Sequence, residues 1–484
     1  MTPMPIRLQP RLSEPIRTVL DDADLLDQLV YALGSPLNLV LPGRILHNAD
    51  AFAEVLAQRA VRGHVHYAHK ANRSAGLVRQ LAHGSAHRID VASVGELRNA
   101  LAGGFGPDRI IATGPKNAAF LGLCATLGIT VVIDSLAELQ QLGVLRRDTP
   151  GQPVLIRLSG FAGTAGAGAG AVRLSRSSRF GIAMADLPDV FELLAGCDGT
   201  LVLRGFAYHL DTIDIGEKVA AFDGCLSALE QSRDRGHLAD VVDVGGGFGV
   251  DYLAVPQEWD NFTSALGEAV LGRRPPITWQ GTGYGLRAEA GRLRGSLNLY
   301  PASRPLAGPD YLATILDSRS AVGATFATAL SESLVELWVE PGRALLDQVG
   351  VVAARVLEVR RHGPGEVFVR VDLNARDVSC EEHGVQMDPV LVPVGPGERS
   401  QGEGYILGNL CLEADLVTRR RIHFPRLPQV GDVLAWANTA GYFMDFSADH
   451  ALSQPVARTV TITGDRRWQL DEEFLPRTQV KEYV

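Results

Sequence analysis

Short β-branched or apolar runs recur along the first two thirds of the chain. Each is followed by a longer segment whose apolar residues fall three or four positions apart. The runs begin near Val65 (VHYAHKA), Arg88 (RIDVAS), Arg109 (RIIATG), Ile129 (ITVVID), Pro153 (PVLIRL), Leu201 (LVLRGFAYH), Ala239 (ADVVDVGGG) and Glu336 (ELWVE). Between the first four lie segments such as SAGLVRQLAHG and VGELRNALAGG, amphipathic at helical spacing and closed by glycine. Strand then helix, repeated, predicts βαβ units with parallel strands. Eight such strands predict a closed (β/α)8 TIM barrel, with a doubly wound open sheet as the alternative, because periodicity does not show closure.

Two intervals break this rhythm. After the run at Pro153 comes GFAGTAGAGAGAV, which reads as a loop or spacer. From Gly245 to Glu336 the chain is far longer than one βα unit needs, and the interval reads as an insertion over 255–330. Beyond Arg343 the texture changes to alternating or β-branched runs (VGVVAARVLEVRR, EVFVRVDLN, QVGDVLAWANT) punctuated by Gly and Pro. The expected organisation is an N-terminal segment over 1–40, a barrel over 41–344 and an all-β, sandwich- or barrel-like domain over 345–484. The N-terminal segment is expected to pack with the β domain or to add a strand to the barrel.

Composition narrows the classes. The 46 basic and 55 acidic residues give a net charge of −9, and no broad basic stripe offers itself to nucleic acid or to an anionic membrane. No run is long and apolar enough to span a bilayer, and the proline-interrupted N-terminus does not read as a signal peptide. The five cysteines, Cys124, Cys197, Cys225, Cys380 and Cys411, are dispersed without metal-type pairing and read as reduced thiols of a cytoplasmic protein without a metal centre.

A barrel's chemistry gathers at the C-terminal ends of its strands. Lys70 ends the first (YAHKAN). A lysine among apolar strand residues is costly to bury charged, and an imine removes that cost; a strand-end lysine reaching solvent is the alternative. The glycines of DVGGGFG end the seventh strand, where backbone N–H groups can cradle an anion, although tight turns use the same residues. In VEPGR, Glu340 is placed to protonate a ring nitrogen and Arg343 to hold an anion, or the two form a local ion pair. His209, at the end of LRGFAYHL, is placed to stack on a planar ring or is a satisfied core residue. Further on, GNLCLEAD carries Cys411 and Asp415, and Tyr442 follows in NTAGYFMDFS. Buried inert thiol is the default reading of such a cysteine. A lysine, an anion cradle, a carboxylate and a stacking ring at the strand ends of one barrel make the inventory of a pyridoxal-phosphate site.

These segments, in the order YAHKAN, RIDVASVGEL, IIATGPKN, SRFGI, the His209 strand, DVGGGFG, VEPGR, GNLCLEAD and Tyr442, resemble the fold-type III (alanine-racemase-like barrel) pyridoxal-phosphate decarboxylases acting on diaminopimelate, ornithine and arginine. The resemblance implies that Lys70 holds pyridoxal phosphate as an internal aldimine, that His209 stacks on the ring and that Glu340 pairs with its nitrogen. It implies that Gly245, Gly246 and Gly247 hold the phosphate, with Gly342, Arg343 and Tyr442 beside them, and that Arg157 lies near the cofactor. Arg343, Glu413, Asp415 and Tyr442 are the implied substrate contacts. Cys411 or Lys70 is the implied proton donor, and the site is implied to be shared across a homodimer whose neighbouring subunit supplies the cysteine segment.

Departures from the family pattern bear on the substrate. The residue after the cysteine is acidic in the family and meets the substrate's distal amine; here it is Leu412, with Glu413 following. VDLNARDVSCEEHGVQ lacks the arginine–proline pattern that meets a distal carboxylate, although Asp377, Glu381 and Glu382 stand nearby, and FSADHAL replaces SxFN after the tyrosine. The expected activity is decarboxylation of an amino acid other than diaminopimelate or ornithine, specialised and with a less polar side chain. An amino-acid racemase and a cofactor-binding regulatory pseudoenzyme are the alternatives.

Overall fold

The computed structural model of the protein describes residues 5–146, 151–161, 178–197, 199–362, 366–396, 400–464 and 467–471. Each apolar run of the first two thirds forms a strand, and the amphipathic segment after it forms a helix. The eight strands are Gly63–Ala68, Arg88–Val91, Ile110–Ala112, Thr130–Ile133, Gln152–Ser159, Leu201–Ala207, Val241–Asp243 and Glu336–Val339. Each pairs in parallel with the next. Leu337 opposite Gly63 then joins the eighth strand to the first, so the sheet closes into the barrel and the open-sheet alternative falls. Ile111, Val132, Leu155, Ala207, Val241 and Trp338 pack together as a buried cluster contributed by six strands.

The strand-to-helix turns share one device. Ser74, Ser93, Asn117 and Ser135 each accept, at the helix N-cap, the N–H three residues on. Glu96 and Glu138 then reach back to the N–H groups of Ala92 and Asp134, at 2.7 and 3.0 Å. Each such cap is worth about 1 kcal/mol and fixes where the chain leaves the strand, which is where the chemistry sits.

The chain divides into two compact units. The barrel unit comprises 45–249, 306–345 and the C-terminal 473–484, the last outside the described residues. The second unit gathers the N-terminal segment, 250–305 and 346–472 around a nine-stranded, mainly antiparallel sheet. The extra length between Gly245 and Glu336 is therefore divided. Helix Gln257–Val270 and an exposed hairpin, Arg287–Glu289 with Arg292–Arg294, belong to the β-rich unit, whereas helices Gly308–Asp317 and Phe326–Glu332 belong to the barrel unit.

The expectation that the N-terminal segment adds a barrel strand is corrected. Leu37–Val40 lies between Gly350–His362, antiparallel, and Arg458–Ile462, parallel, with all four residues buried. Its leucines join the apolar stripe of helix Ala23–Leu33 in the core of that sheet, a partner surface the barrel strands do not offer. All but Gly160 and Phe161 of the Gly/Ala stretch lies outside the described residues. Among the described residues, no helix is long and apolar enough to cross a membrane.

Candidate active site

Where the first barrel strand ends, one helical turn, His69–Ala71, carries Lys70. Asn72 secures this turn: its carbonyl accepts the Tyr67 hydroxyl at 2.7 Å and its side-chain oxygen accepts the Ser74 N–H at 2.8 Å. The Lys70 ammonium stands 3.6 Å from Oδ2 of Asp90, at the end of the second strand. Asp90 is buried, and its Oδ1 accepts the Thr113 hydroxyl at 2.5 Å. Burial, reinforced by the nearby Glu340 charge, pushes the Asp90 carboxyl up to about 6, against the pull of Lys70 and Thr113.

His209 follows the sixth strand. Its Nδ1 accepts the Gly246 N–H at 3.2 Å, so the hydrogen-bond pattern assigns a neutral imidazole with its proton on Nε2. Burial and the surrounding cations Lys70, Arg157 and Lys218 push its pKa well below the ordinary histidine range, in agreement. Oε2 of Glu340 lies 3.5 Å from the same Nδ1, and the Glu340 N–H donates to the Gly245 carbonyl at 2.8 Å.

Asp243, last residue of the seventh strand, is completely buried, and its Oδ1 accepts the Gly245 N–H at 2.8 Å. Burial first, then the charge of Glu340, raises this carboxyl well above its usual range, so Asp243 retains a proton where an exposed aspartate has lost it.

The glycine run leaves no room for side chains. A Cβ on Gly245 would lie 2.5 Å from the Tyr208 carbonyl oxygen, and one on Gly246 would lie 2.8 Å from that of Glu340. Gly245 and Gly247 also have φ of +61° and +85°, a left-handed conformation that favours glycine. Among the described residues, the N–H groups of Gly247, Phe248 and Gly249 meet no acceptor, and donors of this kind form an anion cradle.

Lys70, Arg157, His209 and Glu340 share a cavity of about 310 Å³ with Thr113 and Phe180. Arg157 is held 3.4 Å from Asp134 and lies 4.8 Å over the Phe180 ring. Gly342 is buried and Arg343 half-buried in the turn after the eighth strand.

The other residues singled out in the sequence belong to the β-rich unit. Cys411 and Glu413 are exposed there, and Leu412 is 58% exposed. Tyr442 has an unusual φ of +74°, with its ring 6.2 Å from that of His383 and 5.7 Å from that of Phe446. Asp415, expected to meet substrate, is held in its own turn. It is buried, Oδ2 accepts the Leu410 N–H at 2.8 Å and Oδ1 accepts that of Ala375 at 2.9 Å, one N–H on each oxygen.

Sequence reading passed over Asp90, Asp243, Thr113 and Phe180. Asp90 and Asp243 carry the signal that marked Glu340, an acid at the C-terminal end of an apolar strand. Thr113 and Phe180 carry no comparable signal.

These residues fit pyridoxal phosphate: a lysine and a buried carboxylate face one cavity, and the adjoining glycine cradle would be filled by any Cβ. Residues 43–294 match the family model for the pyridoxal-binding domain of pyridoxal-dependent decarboxylases. The chain is 29% identical over 439 residues to the uncharacterized protein y4yA of Sinorhizobium fredii, covering 89% of this chain and 88% of that one. It is 24% identical over 436 residues to the diaminopimelate decarboxylase of Methanothermobacter thermautotrophicus, covering 87% and 86%. In fold it is similar to the diaminopimelate decarboxylase of M. jannaschii in co-complex with L-lysine, with a TM-score of 0.69 at 17% identity over 92% of this chain and 91% of that one. With more than half of its length matched, the chain belongs to the pyridoxal-dependent decarboxylases, carboxy-lyases that use pyridoxal phosphate to remove CO2 from amino acids.

Proposed function

We propose that the protein decarboxylates an amino acid whose side chain has no distal ammonium or carboxylate, and that neither diaminopimelate nor ornithine is its best substrate. The convergence of Lys70, His209 and Glu340 on one cavity carries the assignment of the chemistry. In this reading Lys70 would hold the cofactor, His209 its ring face and Glu340 its ring nitrogen, with Arg157 beside it. Gly245, Gly246, Gly247, Gly342, Arg343 and Tyr442 would hold its phosphate. Once bound, the cofactor supplies the electron sink for the pair released as the α-carboxylate departs. Asp90 accepts a proton from Lys70 Nζ, 3.6 Å away, when the amine must act as nucleophile. Cys411 Sγ returns a proton to the α-carbon, and its exposure in a single chain supports donation to the site of a second copy in a homodimer.

The substrate reading rests on Leu412. An apolar side chain cannot compensate a buried ammonium, and bringing one into a closed site without a partner is costly. The acids near it in sequence are occupied. Oε2 of Glu381 accepts from Tyr284, Thr418 and the Arg419 N–H, and Oε1 pairs with the Arg419 guanidinium. Asp377 is buried, accepts the Asn374 N–H, and is pushed up to about 6, chiefly by burial. Of the remaining acids, Glu382 and Glu413 are exposed, and Glu413 sits on the same turn as Leu412.

A panel of amino acids followed by CO2 release tests the reading. Turnover is expected on an amino acid with an apolar or uncharged side chain, at least tenfold above diaminopimelate and ornithine. Robust diaminopimelate activity refutes the substrate reading. Lys70→Ala should abolish both the cofactor's long-wavelength absorbance and CO2 release, and persistence of both refutes the chemistry.

A further inference from the structure

Helix Ile215–Arg233 carries a lysine, Lys218, near its N-terminal end that is completely buried in the barrel unit. That end of a helix carries partial positive charge and disfavours a cation, so helix electrostatics do not account for the choice. The surroundings of the ammonium do. Lys218 Nζ donates to the carbonyl oxygen of Gly246 at 2.5 Å and lies 5.5 Å from the ring centroids of both Tyr208 and Phe248. Those ring faces favour a desolvated cation. The Tyr208 hydroxyl donates to the Lys218 carbonyl at 3.2 Å, which ties this helical turn to the strand end that carries His209.

The Gly246 carbonyl and the Gly247 N–H are two ends of one peptide group. Resonance couples them, so a cation bound at the oxygen draws electron density from the nitrogen and strengthens the N–H as a donor. The other neighbours of this loop are accounted for: the Gly246 N–H faces His209, and the Gly245 carbonyl accepts from Glu340. The Gly247 N–H, like those of Phe248 and Gly249, meets no acceptor among the described residues. Lys218 is not among the residues lining the cavity; its ammonium meets the cradle from behind, at the Gly246 carbonyl.

We propose that Lys218 is a positioning residue for the cofactor's phosphate, a buried cation one peptide behind the glycine cradle that polarises the Gly246–Gly247 amide and selects for an anion there. The inference rests on the reading of that loop as the phosphate cradle. Lys218 lies outside the cavity lining, so loss of its charge should weaken binding of the phosphate ester far more than that of the unphosphorylated aldehyde.

The test titrates the full-length protein, freed of cofactor, with pyridoxal phosphate and separately with pyridoxal. Both ligands react with Lys70, so the ratio of their dissociation constants isolates the phosphate. Lys218→Gln keeps a donor and loses the charge; its preference for pyridoxal phosphate should fall about 10- to 100-fold, while its affinity for pyridoxal stays within about threefold of wild type. Lys218→Arg keeps the charge and should retain the wild-type preference within about threefold. Equal weakening of both ligands in Lys218→Gln, or an unchanged preference, overturns the proposal. So does a loss of preference in Lys218→Arg, which decides the matter if the glutamine variant does not fold. If the wild type itself does not prefer pyridoxal phosphate, the cradle reading fails as well; if it does and the glutamine variant keeps that preference, only the role of Lys218 fails.

Discussion

His66 points to a measurable acid sensitivity of the barrel. It lies on the first strand, is completely buried, and neither ring nitrogen makes a hydrogen bond of good geometry among the described residues, with the Val339 and His64 backbone the polar groups acting on it. Trp338 stands 5.0 Å away and His64 6.4 Å away, ring to ring. Burial, reinforced by the Arg88 and His64 charges, holds the His66 pKa well below its ordinary 6.5. The sign follows from linkage. Such a histidine is neutral in the folded chain and takes a proton on unfolding, so its contribution is complete above pH 6.5 and is lost as pH falls. From an ordinary value of 6.5, the unfolded state at pH 5 gains about 2 kcal/mol from this one proton.

Other groups titrate over the same range. His69, also held down to about 4 chiefly by burial, adds a loss of the same sign. Glu96 and Asp90, pushed up to about 7 and about 6, oppose it, because a raised carboxyl stabilises the fold as pH falls. A difference between variants removes these shared terms. His66→Phe keeps an aromatic ring beside Trp338 and removes the titration. Guanidinium unfolding of both proteins at pH 7.5 and pH 5 should show the variant losing about 2 kcal/mol less than wild type over that interval. Any packing penalty of the larger ring appears at both pH values and cancels. Equal losses in the two proteins would refute the argument, because His66 would then titrate alike in folded and unfolded chains.

Further outcomes bear on the site. Gly246→Ala forces a Cβ to within 2.8 Å of the Glu340 carbonyl oxygen, and the variant should retain at least tenfold less cofactor through gel filtration while its circular dichroism spectrum is unchanged. Glu340→Gln removes the carboxylate beside His209 and should lower CO2 release at least 100-fold; release without loss would exclude Glu340 from the chemistry, and loss of optical rotation without CO2 would indicate racemisation. Leu412→Asp should raise turnover of ornithine relative to the best apolar substrate, measured as the ratio of kcat/KM values. Ser93→Ala removes the cap bonded to the Glu96 N–H and should cost about 1 kcal/mol in guanidinium unfolding, with little effect on cofactor content.

The barrel was legible because its strands are buried on both faces and stand out as apolar runs between amphipathic segments. Closure followed only from the count of eight strands, since it depends on the register of Leu337 with Gly63, two residues that carry no local mark of pairing. Leu37–Val40 was placed ambiguously for a related reason: LNLV suits any sheet, and only its neighbours Gly350–His362 and Arg458–Ile462 decide which one takes it. Lys218 carries no local mark in IGEKVAAF that sets it apart from a solvent-facing helix lysine, whereas Glu217, Lys218, Ala221 and Phe222 are all buried. For Asp415, its position in GNLCLEAD says nothing of the two N–H groups that its oxygens accept.

This pattern of successes and misses has a physical cause. Lys70, Glu340 and the glycine run each stand where a strand meets a turn, and there the residue type alone is informative: a strand end has little use for a buried charge or three consecutive glycines unless a ligand compensates. Selectivity has no such mark. Leu412 and Glu413 are exposed in a single chain, and an exposed leucine or glutamate is ordinary on any surface. In the homodimer proposed above, their significance would come from what covers them there. Under the homodimer proposal, the cofactor's contacts are written within one chain, and the returning proton and the choice of substrate between two. The substrate panel therefore needs the protein at concentrations where it is dimeric: dilution below the dimer's dissociation constant should abolish CO2 release while the cofactor remains bound to Lys70. A monomer that retains full turnover would remove Cys411 and Leu412 from the site.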